Sequence, residues 1–275
     1  MSTAKYVLSG IFCLALAVSR AAAEASPVIG PDGLLALSDG SPLHAFKADE
    51  GLLRRYRSGA ELSRADALRR SADLEAAGHT AGAYGLTVEE AAALAEYSQS
   101  AYRVINPRLW QSRLPKERSS IDLMMMIISA MNKLPDHKGK VMRADFYASP
   151  SASATEVEER IYAFRKAGGA AVPFVAKAFW SASARSDWNT DIWPVPVNPD
   201  GSKDECSSIL IEIQAEHAKD ISLISTVKEE GEALFRPGAK FEVLSVSPPK
   251  KTPPVCFKIG FEHPFTYVIR LRELP

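Results

Sequence analysis

The stretch EEGEALFRPGAKFEVLSV, Glu229–Val246, holds two strand-like segments, EALF (232–235) and KFEVLSV (240–246), behind a pair of carboxylates, Glu230 and Glu232. Short runs rich in β-branched and aromatic residues favour extended chain. The same texture recurs on either side, in ILIEIQA (209–215) and ISLIST (221–226) before it and in VCFKIGFE (255–262) and TYVIRLREL (266–274) after it. Further upstream, KVMRADFYA (140–148) sets Met142, Ala144 and Phe146 against Val141, Arg143 and Asp145, the period-2 alternation of a strand. It follows a predicted turn at Asp136–Gly139. AVPFVAKAFWSAS (171–183) also reads as strand, and Thr155 and Glu158 predict a capped helix reaching about Lys166, closed by Gly168 and Gly169.

Ahead of these strands the periodicity changes to that of helices. Thr87 and Glu90 form a capping box, and Ala91, Leu94, Ala95, Ser98, Ala101, Tyr102 and Ile105 continue one stripe that Pro107 is expected to end. A second helix is predicted from Ser119 or Ser120, with Ile121, Met124, Met125, Ile128 and Met131 as its core face. A third, exposed helix is expected over 60–77, and residues 24 to about 60 show no sustained period, so 24–78 reads as a leader or linker. Helices followed by strands predict an α+β architecture with antiparallel sheets, not a doubly wound parallel fold. Residues 79–275 would form the main domain.

The 275 residues include 33 basic and 33 acidic side chains, a balance that points to neither nucleic acid nor an anionic membrane as partner. Residues 1–23 carry Lys5, an apolar run from Tyr6 to Val18 and Ala21-Ala22-Ala23, the pattern of a cleaved secretory signal. The run is short for a bilayer span, so no stable membrane insertion is expected after cleavage, and the product would be secreted, with the periplasm or a host cell as alternative destinations. Cys206 and Cys256 then remain, able to pair or to stay as two thiols, and the scattered histidines offer no metal-ligand spacing.

No G-x-G-x-x-G, Walker loop or G-x-S-x-G occurs, which removes the common dinucleotide, phosphate-transfer and hydrolase signatures. Three polar sites remain in the strand-rich half. Glu230 and Glu232 lie two apart, which in extended chain turns both carboxylates to one side and raises at least one pKa; as an isolated pair they equally suit a solvated acidic turn. Arg143 could grip phosphate oxygens in a fork or sit on a solvent face. Ser181 and Ser183 share a strand face.

Taken together and in order, these motifs resemble the ADP-ribosyltransferase toxins and effectors of the arginine-serine-glutamate class, over about residues 86–274. SAYRVINPRLW (100–110) is similar to the family's tyrosine-to-asparagine helix, KVMRADF to its arginine-bearing strand, and AFWSASA (178–184) to its aromatic-x-Ser-x-Ser strand, with Ala182 where threonine is frequent. EEGEALFRPGAKFEVLSV resembles the Glu-x-Glu turn and the strand after it, matching also at Phe235, Pro237, Gly238, Phe241 and Val243. The loop with Trp188, Trp193 and Pro194 is longer than the family's, and ISLISTVK lacks the aromatic residue often found at the acceptor-recognising turn.

The resemblance implies two packed, mainly antiparallel sheets forming a cleft for NAD, used as a substrate without a metal. It also implies transfer of ADP-ribose to an arginine of an acceptor protein, one of a host. By that likeness Glu232 is the catalytic carboxylate, Arg143 grips the pyrophosphate, Ser181 braces Glu232, Ser183 assists binding, and Glu230 orients the acceptor guanidinium. Two other outcomes stay open: an NAD glycohydrolase, in which water replaces arginine, and a noncatalytic secreted binding protein that retains the fold.

Overall fold

The computed structural model describes residues 25–59, 65–69, 71–72, 84–146, 150–185, 208–225, 230–247 and 267–275. The signal-like segment, Cys206, Cys256, the loop around Trp188 and Trp193, VCFKIGFE and the side chains of Thr155 and Glu158 lie outside the described residues. Two short strands, β1 (Pro27–Ile29) and β2 (Leu35–Leu37), pair antiparallel, and helix α1 spans Glu50–Ser58. Helices α2 (Val88–Glu96), α3 (Tyr102–Trp110) and α4 (Arg118–Lys133) follow. Then come β3 (Asp136–Phe146), α5 (Pro150–Gly169), β4 (Phe174–Ala176), β5 (Trp180–Ser183), β6 (Ser208–Asp220), β7 (Glu232–Phe235), β8 (Ala239–Val246) and β9 (Tyr267–Glu273).

Helical and strand regions segregate as expected, and every strand pairing is antiparallel except β6 with β9. They form two sheets, the small antiparallel β1–β2 pair and a large one made by β3 to β9. β3, β6, β9, β8 and β4 make one run, while β5 and β7 bridge from β3 back to β6 and close a four-strand ring. The small β5–β7 ribbon is thus the second layer, and its two faces belong to different cores. Trp180, Ala182, Ala233 and Phe235 face the larger sheet and α5, whereas Phe179 and Leu234 face the helices. By the two-residue period of a strand, Ser181, Ser183 and Glu232 must share the helix-facing side.

Several local expectations give way to tertiary packing. The helix does not stop at Pro107; it runs on to Trp110, after a π turn at Tyr97–Ala101 that inserts an extra residue between α2 and α3. The expected turn at Asp136–Gly139 is absorbed into the start of β3, where the register with β6 shifts between His137 and Gly139 and Gly139 takes a positive φ. Residues 221–225, the described part of ISLIST, do not form a strand. Asp220 accepts from the Ser222 amide, and Ile224 and Ser225 amides both bond the Ile221 carbonyl, folding the segment into a turn anchored by buried Ile221 and Ile224. The strand-like 171–183 run breaks into β4 and β5 around Lys177.

The segment read as a leader is built into the helical core. Leu35, Leu37, Leu52, Leu53 and Tyr56 are buried with the methionines of α4, the Tyr56 hydroxyl donates to Glu96 at 3.0 Å, and the Ala48 amide donates to Ser129 at 2.8 Å. Aperiodic sequence hid this, because the hairpin is only three residues per strand and α1 only nine. Leu52→Ala is expected to lower stability by about 2–5 kcal/mol, as large-to-small changes in packed cores do. Urea unfolding checks it, and an unchanged midpoint would mean that α1 merely rests on the surface.

Candidate active site

The ring places three consecutive strands side by side, and each presents one of the polar residues singled out in the sequence. Ser183 sits directly opposite Glu232 across β5–β7, with Met142 of β3 opposite Ser183 on the other side. Ser181 Oγ donates to Glu232 Oε1 at 2.7 Å, and Ser225 Oγ, from the turn before β7, donates to Oε2 at 3.0 Å. Glu232 is only 6% exposed. Burial raises its pKa above the ordinary glutamate value, opposed by the two hydroxyls and by the nearby Arg143 charge.

Arg143 is held in a fork. Its Nε donates to Asp145 Oδ1 and its Nη1 to the Ser181 carbonyl, both at 2.7 Å, and the guanidinium lies over the Trp180 ring at 5.8 Å. The side chain keeps 27% of its exposure, against 6% for Glu232. Ser183 serves a different partner from Ser181: its hydroxyl donates to the Glu230 carbonyl at 2.6 Å. Glu230 is half-buried and precedes the strand, and Gly231 between the two glutamates has φ of 56°. The extended-chain reasoning that set both carboxylates on one side therefore does not hold, since a left-handed residue intervenes. A Cβ on Gly231 would meet Arg185 Cγ at 2.6 Å, so only glycine fits this corner.

The helical wall reaches the site through Tyr97. Its ring packs edge-on against Phe179 at 5.3 Å, its hydroxyl accepts from Asn106 Nδ2 at 3.0 Å, and burial pushes its pKa upward, with the Glu232 charge adding to the rise. Sequence reasoning did not single out Tyr97, which Asn106 meets from nine residues on, across the π turn. It also missed Asp145 and Ser225. Asp145 had a legible signal, two residues after Arg143 on the same strand and hence on the same face. Ser225 had none, because its approach depends on the turn that replaced the expected strand. Among the described residues no group of three or more His, Cys, Asp or Glu side chains is arranged to hold a metal ion, and no helix is long and apolar enough to cross a membrane.

No family model matches the chain, and no curated protein is similar to it in sequence. Solved structures do match. The ADP-ribosyltransferase HopU1 of Pseudomonas syringae pv. Tomato DC3000 superposes with a TM-score of 0.58 at 15% identity, covering 83% of this chain and 99% of that one. The fold is that of the ADP-ribosyltransferases. The type III effector XopAI from Xanthomonas axonopodis pv. citri, in a form lacking 70 N-terminal residues, matches with a TM-score of 0.54 at 18% identity over 84% of this chain and 91% of that one. Both spans exceed what residues 79–275 alone supply, so the likeness in this ADP-ribosyltransferase fold takes in part of the segment read as a leader.

A carboxyl whose folded pKa is raised binds more proton folded than unfolded between its ordinary and raised values, so stability falls as pH rises through that window. Glu232→Gln keeps the shape and removes the charge. It is expected to melt a few degrees above the parent at pH 8 and by a smaller margin at pH 4. Thermal melts across that range check it; an equal margin at both ends would show that the buried charge is not the source.

Proposed function

We propose that the chain is a mono-ADP-ribosyltransferase that transfers ADP-ribose from NAD to an arginine of a target protein, releasing nicotinamide, with Glu232 as its catalytic carboxylate. The observation that carries this reading is the pair of hydroxyls from Ser181 and Ser225 on the two oxygens of a buried glutamate, beside a forked arginine, in an ADP-ribosyltransferase fold. NAD supplies a bond between nicotinamide and ribose whose cleavage builds positive charge on the ribose ring, as glycoside cleavage does.

Glu232 stabilises that charge, and a carboxylate in a site poor in water does so more strongly than one in solvent. Ser181 fixes the carboxylate and, through its carbonyl, Arg143 as well. Asp145 and that carbonyl hold Nε and Nη1, and the Nη2 edge of the Arg143 guanidinium would be the one to grip the pyrophosphate. Ser183 anchors the Glu230 backbone at the corner made by Gly231, and its role in binding NAD is indirect. Glu230 orients the acceptor guanidinium and assists its deprotonation, a step that a group with pKa above about 12 requires. The expected acceptor is a protein of a host cell, reached after export directed by residues 1–23.

Glu232→Ala is expected to abolish both nicotinamide release and transfer, by at least about a hundredfold, the scale on which removing a transition-state electrostatic partner acts. Glu230→Gln is expected to remove arginine transfer while sparing part of the hydrolysis of NAD by water. Free nicotinamide and protein-bound ADP-ribose are read in parallel. Equal loss of both products in the two variants would defeat the division of labour, and hydrolysis without any transfer in the parent would favour a glycohydrolase.

A further inference from the structure

The turn before β7 is bonded to Glu232 twice. The Ile221 amide donates to the Glu232 carbonyl at 2.9 Å, and four residues on Ser225 Oγ reaches the side-chain Oε2. The Ser225 amide closes the turn on the Ile221 carbonyl at 2.7 Å, and Ile221, Ile224 and Ser225 are all buried. The hydroxyl is thus fixed by backbone geometry and by two apolar anchors, independently of β5, which supplies Ser181 to the opposite oxygen. With Ser181 alone, Glu232 would keep one oxygen donor and could rotate about its last side-chain bond; with both, each oxygen is held by its own hydroxyl and the plane of the carboxylate is set.

We propose that Ser225 is a positioning residue for Glu232, fixing the plane of its carboxylate and holding it in the ionised form that acts on NAD. This rests on the reading of Glu232 as the catalytic carboxylate. A buried carboxylate has lost solvent as its donor, and each hydrogen bond to the anion favours ionisation. The other groups facing it are the Arg143 guanidinium from β3, which also favours the anion, and the Tyr97 phenol from the π turn, which is neutral at ordinary pH and whose own ionisation the Glu232 charge opposes. Removing the Ser225 hydroxyl leaves these in place. Glu232 then loses one of its two oxygen donors, and its protonated form gains ground.

Replacement of Ser225 is therefore expected to act on turnover in both hydrolysis and transfer, because both need Glu232, with little change in KM for NAD, because Arg143 is untouched.

The test compares the parent, Ser225→Ala and Ser225→Thr. The Glu232 carboxyl is titrated by carbon NMR in the folded protein without NAD, and nicotinamide release is followed from pH 5 to pH 9. Ser225→Ala is expected to move the Glu232 titration up by about one pH unit, the scale of one hydrogen bond to a charged group. The acid limb of kcat should move with it, giving up to about a tenfold loss on the acid side of the profile and a smaller one on its plateau, and Ser225→Thr, which keeps the hydroxyl, should restore both. An unshifted Glu232 titration in Ser225→Ala would overturn the proposal even if activity fell. A shifted titration in a protein whose parent releases no nicotinamide would instead defeat the catalytic reading while leaving the contact between Ser225 and Glu232 intact.

Discussion

A carboxylate withdrawn from water persists as an anion only where donors replace the lost solvent, and the region around Glu232 is arranged around that requirement. Two serine hydroxyls from different segments meet its two oxygens, and Arg143 adds a positive charge without making direct contact. Each such hydrogen bond to a charged group contributes on the order of 1.5–3 kcal/mol, which offsets part of the desolvation cost, and the raised Glu232 pKa shows burial to be the larger effect. The Ser181 donor arrives because β5 and β7 pair in one register, Ser183 opposite Glu232, which leaves Ser181 one step along the same face. A slip of one residue would turn Ser181 and Ser183 toward the aromatic core and Trp180 out of it.

The ribbon that carries these groups is held from both sides. On one face Trp180 and Phe235 join Phe174 and Phe241 in an aromatic cluster under α5, with ring separations between 5.1 and 6.4 Å. On the other, Phe179 and Leu234 pack on the helical layer, where Tyr97 of the π turn is buried. π turns interrupt the ordinary helical hydrogen bonding and recur at functional sites. Here the interruption lies between Tyr97, which meets Phe179, and Asn106, which hydrogen-bonds it. The polar residues on the ribbon thus lie on the side of the helices, at the seam between two cores and not inside either.

Much of this was legible in the sequence because it depends on local pattern. The capping box at Thr87 and Glu90 forms as read, with both reciprocal bonds present, and the methionine face of α4 is buried as its spacing predicts. Arg143, Ser181 and Glu232 were identifiable from residue type and order, and the structure brings them together. What sequence could not supply depends on contacts between distant segments. ISLIST has strand composition, yet Asp220 and the burial of Ile221 and Ile224 make it a turn, and only that turn presents Ser225. Glu230 and Glu232 appear paired by a period of two, yet Gly231 in the left-handed region breaks the alternation. Residues 27–58 look aperiodic, yet their few apolar side chains complete the helical core.

The most direct test of the central claim is to incubate the purified chain with NAD and a protein rich in accessible arginines, digest the acceptor, and locate any ADP-ribose by mass spectrometry. The account predicts adducts on arginine side chains, formed with stoichiometric release of nicotinamide. Adducts confined to other residue types, or an NAD pool that stays intact with every acceptor offered, would contradict it.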